Sequence, residues 1–210
     1  MIGGVIVVDD NSPDGTAKEV EKIKSEVYDN TFEVNLIQRE HKAGIGPAYI
    51  TGFKLALELK PDYIMEMDAD FSHNPIYIPA FIKTLQISDL VIGSRYIENG
   101  DVENWGLVRK MISKGGSIYS KLILGWKIKD ATAGFVCYRR EVLEKINLDK
   151  IESNGYSFQV EMKYRAYQLG FILTEIPIIF ANRVKGMSKM NGKIVFEAIA
   201  RVILIKFKKI

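Results

Sequence analysis

Short apolar runs alternate with segments of helical periodicity through the first hundred residues, and this alternation is what most constrains the fold. The runs are rich in β-branched residues, and the segments between them repeat apolar residues at helical spacing, as Ala17, Val20, Ile23 and Val27 do. A strand covered on both faces is apolar throughout, whereas a half-exposed strand alternates. We therefore predict an α/β fold with a mostly parallel central sheet and helices on both faces. The predicted strands are 4–10, 32–38, 62–70 and 89–96, and the predicted helices are 14–29, 46–60 and 75–86.

The second half of the chain is less regular but contains the same kinds of element. One predicted helix is interrupted at the pair Gly115-Gly116. A later helix is closed by Gly170, and the strand-like run after it contains Pro177, which suits an edge strand or a bulge. The predicted helices here are 107–126, 157–170 and 192–210, and the predicted strands are 133–140 and 171–180.

Composition limits the classes of function. A chain of 210 residues, 47% of them hydrophobic, is long enough for one domain with an apolar core. A net charge of +3 is too small to indicate nucleic-acid binding by itself. The one cysteine, Cys137, excludes an internal disulfide, is typical of a reducing compartment and is interpreted as a small buried hydrophobic residue. No uncharged apolar run reaches about 18 residues, so the sequence predicts no membrane span.

Two of the predicted strands end in aspartates, at Asp9-Asp10 and at Asp68-Ala69-Asp70. Ligands of open α/β sheets bind beyond the carboxyl ends of the strands, and residues two apart in an extended chain point to the same side. Asp68 and Asp70 are therefore candidates to share Mg²⁺ or Mn²⁺ through their carboxylate oxygens. The alternative is that Asp68 ends a strand while Asp70 and Ser72 cap the next helix.

Glycine and basic residues suggest a second kind of site, for phosphate. Gly44 and Gly46 directly precede a predicted helix, where backbone N–H groups can face an anion, although a tight turn explains them equally well. The two histidines, His41 and His73, are interpreted as hydrogen-bonding loop residues. Basic residues that recur at the ends of predicted elements, and so are candidates for an anion site, are Arg95, Arg109, Arg183, Lys185 and Lys189.

Seven segments of the chain resemble, in order, those of the dolichyl-phosphate mannosyltransferases, which are inverting glycosyltransferases of family 2 with a GT-A fold. The segments are VIVVDDNSPDGTA, HKAGIGPAYITGF, MDADFSHNP, VIGSRY, DATAGFVCYRR, GYSFQVEM and EIPIIFANRVKGMSKM. The match runs from Val5 to about Lys209. The basic stretch from Arg183 to Lys189 is typical of the branch that uses polyprenyl phosphates.

The resemblance implies transfer of mannose from GDP-mannose to dolichyl or another polyprenyl phosphate, with a β-linked product. Such an acceptor is already an anion near neutral pH, so the attacking oxygen needs no general base. The resemblance places the nucleotide and its diphosphate at Asp10, Arg39, Gly46, Asp68, Ala69 and Asp70, and Mg²⁺ or Mn²⁺ at Asp68, Asp70 and Ser72. It places the acceptor phosphate and the leaving group at Arg95, Arg109, Ser113, Arg183 and Lys189, with Asp70 orienting the donor.

The chain departs from the family pattern in two ways. The family usually opens with another strand and helix, and this sequence begins at the strand that comes next. Members often have glutamine two positions after the second aspartate, where this chain has Ser72, so water is the alternative to a third protein ligand. The predicted organisation is a GT-A catalytic domain over residues 1–192 and a C-terminal amphipathic helix over residues 193–210.

An enzyme that uses a lipid phosphate must reach a bilayer, and residues 193–210 combine a broad apolar face with lysines and an arginine. We expect peripheral contact at the cytoplasmic face of a membrane; the alternatives are a helix that packs on the core and a chain that is cut before a membrane segment. Two other functions stay open from the sequence. One is a UDP-glucose-dependent polyprenyl-phosphate glucosyltransferase, and the other is a non-catalytic subunit or sensor that binds nucleotide sugars.

Overall fold

The structure, a computed structural model, describes residues 3–27, 31–181 and 192–208, with the backbone alone for residues 192–198. The chain divides into two compact units, Met1–Pro61 and Asp62–Ile210. Each unit is described by itself below.

The first unit contains two parallel strands and two helices. They are β1 (Gly3–Asp9), α1 (Thr16–Glu26), β2 (Phe32–Gln38) and α2 (Ile45–Leu59). The register pairs Gly3 with Phe32 at one end and Asp9 with Gln38 at the other. Because the strands are parallel, their carboxyl ends lie at the same edge. All four elements were predicted from the sequence.

The second unit is built on a four-stranded sheet. The strands of the unit are β3 (Tyr63–Glu66), β4 (Leu90–Ser94), β5 (Asp101–Val102), β6 (Val136–Arg139), β7 (Leu173–Pro177) and β8 (Ile179–Phe180). The sheet has the order β3-β6-β4-β7, and β5 pairs with β8 separately. The predicted α/β class is confirmed, but this sheet is mixed rather than mostly parallel. Strand β6 runs antiparallel to both β3 and β4, and only β4 and β7 are parallel.

Five α-helices of the described residues belong to this unit. They are α3 (Ile78–Thr84), α4 (Leu107–Leu124), α5 (Arg140–Lys145), α6 (Gly155–Gln168) and α7 (Gly192–Phe207), with short 3-10 turns at Pro75–Tyr77 and Leu148–Lys150. Helix α6 is buried from Ser157 to Ala166, on all sides and including its polar residues. A helix in that position must find hydrogen-bond partners for every polar side chain that it carries.

Three expectations about these elements are decided by the structure. Helix α4 continues through Gly115 and Gly116, so the predicted interruption is wrong. The run 171–180 is divided into β7 and β8, with Pro177 as the last residue of β7 at the sheet edge, as predicted for that proline. Cys137 is fully buried in a core cluster with Phe81 and Phe135. Burial raises the pKa of its thiol to about 12, so it stays protonated.

The C-terminal helix α7 packs against both α4 and α6. Val202 and Ile205 are buried, and the Tyr119 hydroxyl on α4 donates to the Ile199 carbonyl at 3.0 Å. Ile203, Leu204 and Phe207 remain exposed. The helix therefore packs on the core with one face and has a second apolar face that no described residue covers. Among the residues that the structure describes, no helix has the length and apolar character needed to cross a membrane.

Candidate active site

An aspartate and an arginine form an ion pair at the edge where β1 and β2 end. The Arg39 guanidinium donates to both carboxylate oxygens of Asp10, at 2.6 and 2.9 Å, and both side chains are largely buried. The Arg39 N–H donates to the Asp9 carbonyl at 2.8 Å, and the Asp9 carboxylate accepts from the Ser12 N–H at 3.2 Å. Asp10, predicted to lie by the nucleoside, and Arg39, predicted to flank the nucleotide, therefore lie together and orient one another.

The glycine pair lies at the start of α2. Gly44 precedes the helix with φ of 102°, which a residue with a side chain adopts only with strain, and no side chain caps the helix start. Gly46 is buried in the first turn. The first backbone N–H groups of such a helix point towards an incoming anion. The predicted contact between Gly46 and a nucleotide stays a prediction.

In the second unit, the acidic loop 68–73 follows β3. The strand ends at Glu66, and residues 69–73 bend, so the rule for extended chains does not explain how Asp68 and Asp70 are arranged. The Asp68 N–H donates to His73 Nδ1 at 2.9 Å, which confirms His73 as a hydrogen-bonding loop residue. The Asp70 carboxylate accepts from both the N–H and the hydroxyl of Ser72. Side chains within the loop thus hold both aspartates in place.

Helix capping does not account for the acidic loop. The cap of the 3-10 turn Pro75–Tyr77 is Asn74, whose side chain accepts from the Ile76 N–H at 3.0 Å. The alternative in which Asp70 and Ser72 cap this element is therefore wrong. Ser72 is fully buried, and its hydroxyl is engaged with Asp70. Its predicted role as a metal ligand stays a prediction.

The acidic loop suits a divalent metal that is shared with a substrate. Over the described ranges, no group of three or more His, Cys, Asp or Glu side chains is placed to hold a metal ion. Mg²⁺ in phosphate-transferring sites takes one or two carboxylates and completes its shell with phosphate oxygens and water. Two half-buried aspartates, Asp68 and Asp70, meet that requirement with hard oxygen donors.

A row of aromatic rings joins the acidic loop to the start of α4. His73 packs edge-on against Phe180, with ring centroids 5.3 Å apart, and Phe180 packs edge-on against Trp105 at 5.5 Å. The Arg109 guanidinium lies over the other end of this row, 3.8 Å from the Trp105 ring centroid. Arg109 and the loop that carries Asp68 therefore belong to one packed cluster.

Arg95 follows β4 and enters the same cluster. Its guanidinium donates to both carboxylate oxygens of Asp130 at 2.7 Å and to the Thr132 hydroxyl at 2.9 Å, and its N–H donates to Asp130 as well. The guanidinium carbon lies 5.6 Å from the Trp105 ring centroid. Although burial disfavours both charges, the attraction and hydrogen bonds between the partners lower the pKa of Asp130 and raise that of Arg95. Both residues are therefore charged at neutral pH.

Tyr96, the next residue along the chain, connects this pair to α4. Its hydroxyl donates to Ser113 Oγ at 2.7 Å. The structure thus brings together Arg95, Arg109 and Ser113, three of the residues predicted for the acceptor side. Arg183 and Lys189, and also Lys185, lie outside the described residues.

Beneath the site lies a buried polar layer between β3, β6 and α6. The Tyr138 hydroxyl donates to the Glu66 carboxyl group at 3.0 Å. The Gln159 amide, oriented with its nitrogen towards Glu66, donates to Glu66 at 2.8 Å and to the Ala133 carbonyl at 3.1 Å. Burial raises the pKa of Glu66 to about 8 and lowers that of Lys163 on α6 to about 8.

Comparison with known proteins identifies the family. The family model described as "Glycosyl transferase family 2" matches residues 4–147. The chain belongs to glycosyltransferase family 2. It is 46% identical over 198 residues to an undecaprenyl-phosphate mannosyltransferase of Micrococcus luteus, a match that covers 94% of this chain and 80% of the relative. It is 42% identical over 199 residues to a polyprenol monophosphomannose synthase of Mycolicibacterium smegmatis, covering 94% and 74%.

The solved structures that resemble this glycosyltransferase confirm its fold. One is glucosyl-3-phosphoglycerate synthase from Mycobacterium tuberculosis with uridine diphosphate, with a TM-score of 0.64, 17% identity and coverage of 96% of this chain and 68% of that one. The same enzyme with Mg²⁺ and uridine diphosphate gives 0.63 at 13% identity, covering 97% and 79%. At these identities the likeness supports the GT-A fold alone.

Some residues of the candidate site and its support were not predicted from the sequence. Asp130 lies in the quoted segment DATAGFVCYRR, but no spacing rule pairs it with Arg95, 35 residues earlier. Trp105 stands alone in a polar loop, without periodicity to mark it. Lys163 left no signal in the sequence either, because the burial of α6 on all sides is seen only in the structure.

Proposed function

We propose that this glycosyltransferase moves mannose from GDP-mannose to a polyprenyl phosphate such as dolichyl phosphate, with help from Mg²⁺ or Mn²⁺, and forms a β-linked product. The observation that carries the proposal is the packed row from the acidic loop to Arg109, which joins carboxylates suited to a metal with cations suited to a phosphate. The names of the two relatives, an undecaprenyl-phosphate mannosyltransferase and a polyprenol monophosphomannose synthase, support the same sugar and acceptor class.

In the proposed reaction, an oxygen of the acceptor phosphate attacks the anomeric carbon of mannose. A new bond forms from that oxygen to the carbon, and the bond from the carbon to the diphosphate oxygen breaks. The electron pair of the broken bond leaves with GDP. No proton has to be removed, because a phosphate monoester is already ionised, with a second pKa of about 6. Attack from the face opposite the leaving group inverts the anomeric centre.

The main obstacle is electrostatic, since two anions must come into contact. On the acceptor side, Arg109 and Ser113 bind the phosphate, and Arg95 lies behind them in a charge-balanced pair with Asp130 and orients Ser113 through Tyr96. Arg183 and Lys189 are proposed to complete that side. Positioned cations of this kind lower the barrier by bringing the reactants together and stabilising developing charge.

On the donor side, the acidic loop is proposed to hold the diphosphate. Asp68 and Asp70 bind the divalent ion, Ala69 lies between them against the diphosphate, and Asp70 orients the donor. Ser72 supports Asp70 through its hydroxyl and is a candidate third ligand. The ion, when bound, neutralises the diphosphate and stabilises it as a leaving group. In the first unit, Asp10, Arg39 and Gly46 are proposed to bind the nucleoside and its phosphates.

Peripheral contact with the cytoplasmic face of a membrane is part of the proposal. Helices α4 and α7 pack on each other and expose large apolar side chains that no described residue covers. Lysines lie among them, and basic amphipathic helices of this kind bind anionic lipid surfaces. The apolar residues exposed on the two helices are Leu107, Val108, Met111, Ile112, Ile118, Leu122, Ile199, Ile203, Leu204 and Phe207.

The test is incubation of the chain with GDP-mannose, a polyprenyl phosphate and Mg²⁺ or Mn²⁺, followed by analysis of the lipid product. We expect mannosyl phosphoryl polyprenol, and we expect Asp68→Ala and Asp70→Ala each to lower turnover at least about a hundredfold without loss of the fold. Glu144→Ala, on the exposed side of α5, is the matched control and retains activity.

The same assay distinguishes the alternatives. A glucosylated lipid formed from UDP-glucose, with no product from GDP-mannose, makes the chain a glucosyltransferase instead. Nucleotide binding without turnover of either donor favours a non-catalytic binding subunit. Near-normal turnover in either aspartate variant refutes the proposed role of the acidic loop.

A further inference from the structure

Lys163 is a fully buried lysine on α6, and its ammonium group is bound almost entirely by main chain. It donates to the carbonyls of Ala131 at 3.1 Å, Ala133 at 2.6 Å and Gln159 at 3.1 Å. An ammonium group has three N–H bonds, so these three carbonyls use all of them. A buried lysine is costly unless such partners surround it, and an apolar side chain in this position avoids that cost.

The carbonyls that Lys163 holds belong to the segment that carries Asp130. Ala131 and Ala133 flank Thr132, whose hydroxyl accepts from Arg95, and the segment begins with the carboxylate that Arg95 binds twice. Lys163 therefore binds the main chain of this segment, while Arg95 binds its side chains. The segment 130–133 is held between two cations that belong to different elements, α6 and the end of β4.

The same face of α6 also contacts the strand that leads to the acidic loop. Gln159, one turn before Lys163, donates to both Glu66 at the end of β3 and the Ala133 carbonyl. Helix α6 is thus the common support of the acidic loop and of the segment 130–133.

We propose that Lys163 is a positioning residue for the acceptor side of the reaction: by holding the Ala131 and Ala133 carbonyls, it keeps Asp130 aligned with Arg95. The alignment of Arg95 in turn fixes Tyr96 and, through its hydroxyl, Ser113. The expected effect on acceptor binding rests on the proposed function. The expected alignment of the segment 130–133 does not. Lys163 itself touches no substrate.

Arg165 provides a matched control on the same helix. It is also a buried cation, it pairs with Glu161 at 2.6 Å, and it donates to the main-chain carbonyl of Lys150 at 2.8 Å. It has no contact with the segment 130–133 among the described residues. Lys163→Met and Arg165→Met each remove one buried cation from α6 together with its hydrogen bonds to main-chain carbonyls. A general loss of stability is therefore expected from both variants, whereas a loss of protection confined to the segment 130–133 is expected from Lys163→Met alone.

The first measurement is hydrogen–deuterium exchange of the full chain and of both variants. We expect Lys163→Met to raise the exchange rate of the amides in 130–134 about tenfold or more, whereas Arg165→Met leaves that segment at the wild-type rate. Equal effects of the two variants on 130–134, or none from Lys163→Met, overturn the proposal. If Lys163→Met does not fold, Lys163→Gln replaces it with the same expectations, because the shorter glutamine side chain is polar but cannot bind the Ala131, Ala133 and Gln159 carbonyls together.

The second measurement is steady-state kinetics of mannosyl transfer. Lys163→Met is expected to raise KM for the polyprenyl phosphate about tenfold, because Arg95 and Ser113 on the acceptor side lose their alignment. It is expected to change KM for GDP-mannose less than about twofold. Arg165→Met is expected to leave both values near wild type. Parallel changes in the two KM values contradict a role on the acceptor side.

The two measurements separate this inference from the proposed function. If the wild-type chain transfers no mannose, the proposed function fails, and the exchange comparison still decides whether Lys163 aligns the segment. If the wild type is active and the exchange pattern is as expected, while Lys163→Met retains wild-type kinetics, the positioning role is refuted and the proposed function stands.

Discussion

At the scale of single residues, the pair of Arg95 and Asp130 dominates the buried electrostatics of the second unit. Arg95 is nearly buried, and Asp130 is fully buried. Replacing Asp130 by asparagine keeps the shape but leaves a guanidinium without its counter-charge. We expect Asp130→Asn to lower the free energy of unfolding by about 3–5 kcal/mol, as is usual when a buried pair loses one partner.

Chemical denaturation of the wild type and the variant measures this change. The control is Asp101→Asn, because Asp101 is exposed and its carboxylate lies 3.4 Å from the Lys110 ammonium, compared with 2.7 Å in the buried pair. An exposed pair of that kind contributes little to stability, because solvent screens the attraction. Losses of equal size in the two variants indicate that Asp130 and Arg95 are solvated in solution, contrary to the structure.

The residues of the site were predictable by their type, and their partners were not. Carboxylates beyond strand ends and basic residues at element ends identified Asp68, Asp70, Arg95 and Arg109 as candidates. The sequence did not reveal that Arg95 is held by Asp130, since that contact depends on how the chain returns through β6. A hydrogen bond across 35 residues leaves no local pattern in the sequence.

At the scale of elements, α4 is a helix that contains two adjacent glycines in its interior. Apart from the neighbouring residues and the backbone of the helix itself, no described residue has an atom within 4 Å of where a Cβ would lie at either glycine. Glycine costs about 0.5–1 kcal/mol relative to alanine in a helix interior, so we expect Gly115→Ala and Gly116→Ala each to stabilise the chain by about that amount. Thermal or urea unfolding measures the change.

The contrasting variant is at Gly125, which ends the same helix. Its φ of 74° lies in the left-handed region, so Gly125→Ala introduces strain although the space around it is also open. That variant is expected to destabilise the chain by about 1 kcal/mol. Destabilisation by alanine at position 115 or 116 indicates instead that the helix bends or breaks at the glycine pair.

The exposed apolar face of α4 and α7 is the second feature at this scale. We expect Met111→Glu and Phe207→Glu each to weaken binding to anionic vesicles at least about fivefold, because each places a carboxylate on a face that binds through apolar burial and positive charge. Vesicle flotation is the measurement. Ile87→Glu is the control, since Ile87 is equally exposed but follows α3. Equal binding by all three variants indicates that this face does not contact lipid.

The elements themselves were largely predictable, because helices and strands leave periodic patterns. The exceptions have physical reasons. The glycine pair in α4 was interpreted as a break, yet a helix of 18 residues with packing on one side tolerates it. The run 171–180 has one continuous apolar pattern, and its division into β7 and β8 follows from their pairing with different strands, β4 and β5.

At the scale of the whole molecule, the family and the α/β class were predictable, while the strand directions were not. Strand β6 lies between β3 and β4 and is antiparallel to both. An apolar run such as AGFVCYRR has the same pattern in either direction, so the sequence does not indicate which way it enters the sheet. Strand order is set by connections and packing that no single segment records.

Binding of the donor is the property that tests the molecule as a whole, because a bound ligand shifts the thermal unfolding of the chain. A ligand that binds only the folded chain stabilises it by about 2.7 kcal/mol at a hundred times its Kd. For a chain of this size we expect GDP-mannose with Mn²⁺ to raise Tm by about 5–10 °C. Mn²⁺ alone is expected to raise it far less, because the acidic loop offers only two carboxylates before the diphosphate arrives. GDP-mannose with a chelator, and the double variant Asp68→Asn with Asp70→Asn, should lose most of the shift. A larger rise in Tm with UDP-glucose and Mn²⁺ than with GDP-mannose and Mn²⁺ indicates that UDP-glucose is the donor. A full rise with GDP-mannose in the double variant shows that the acidic loop does not bind the diphosphate.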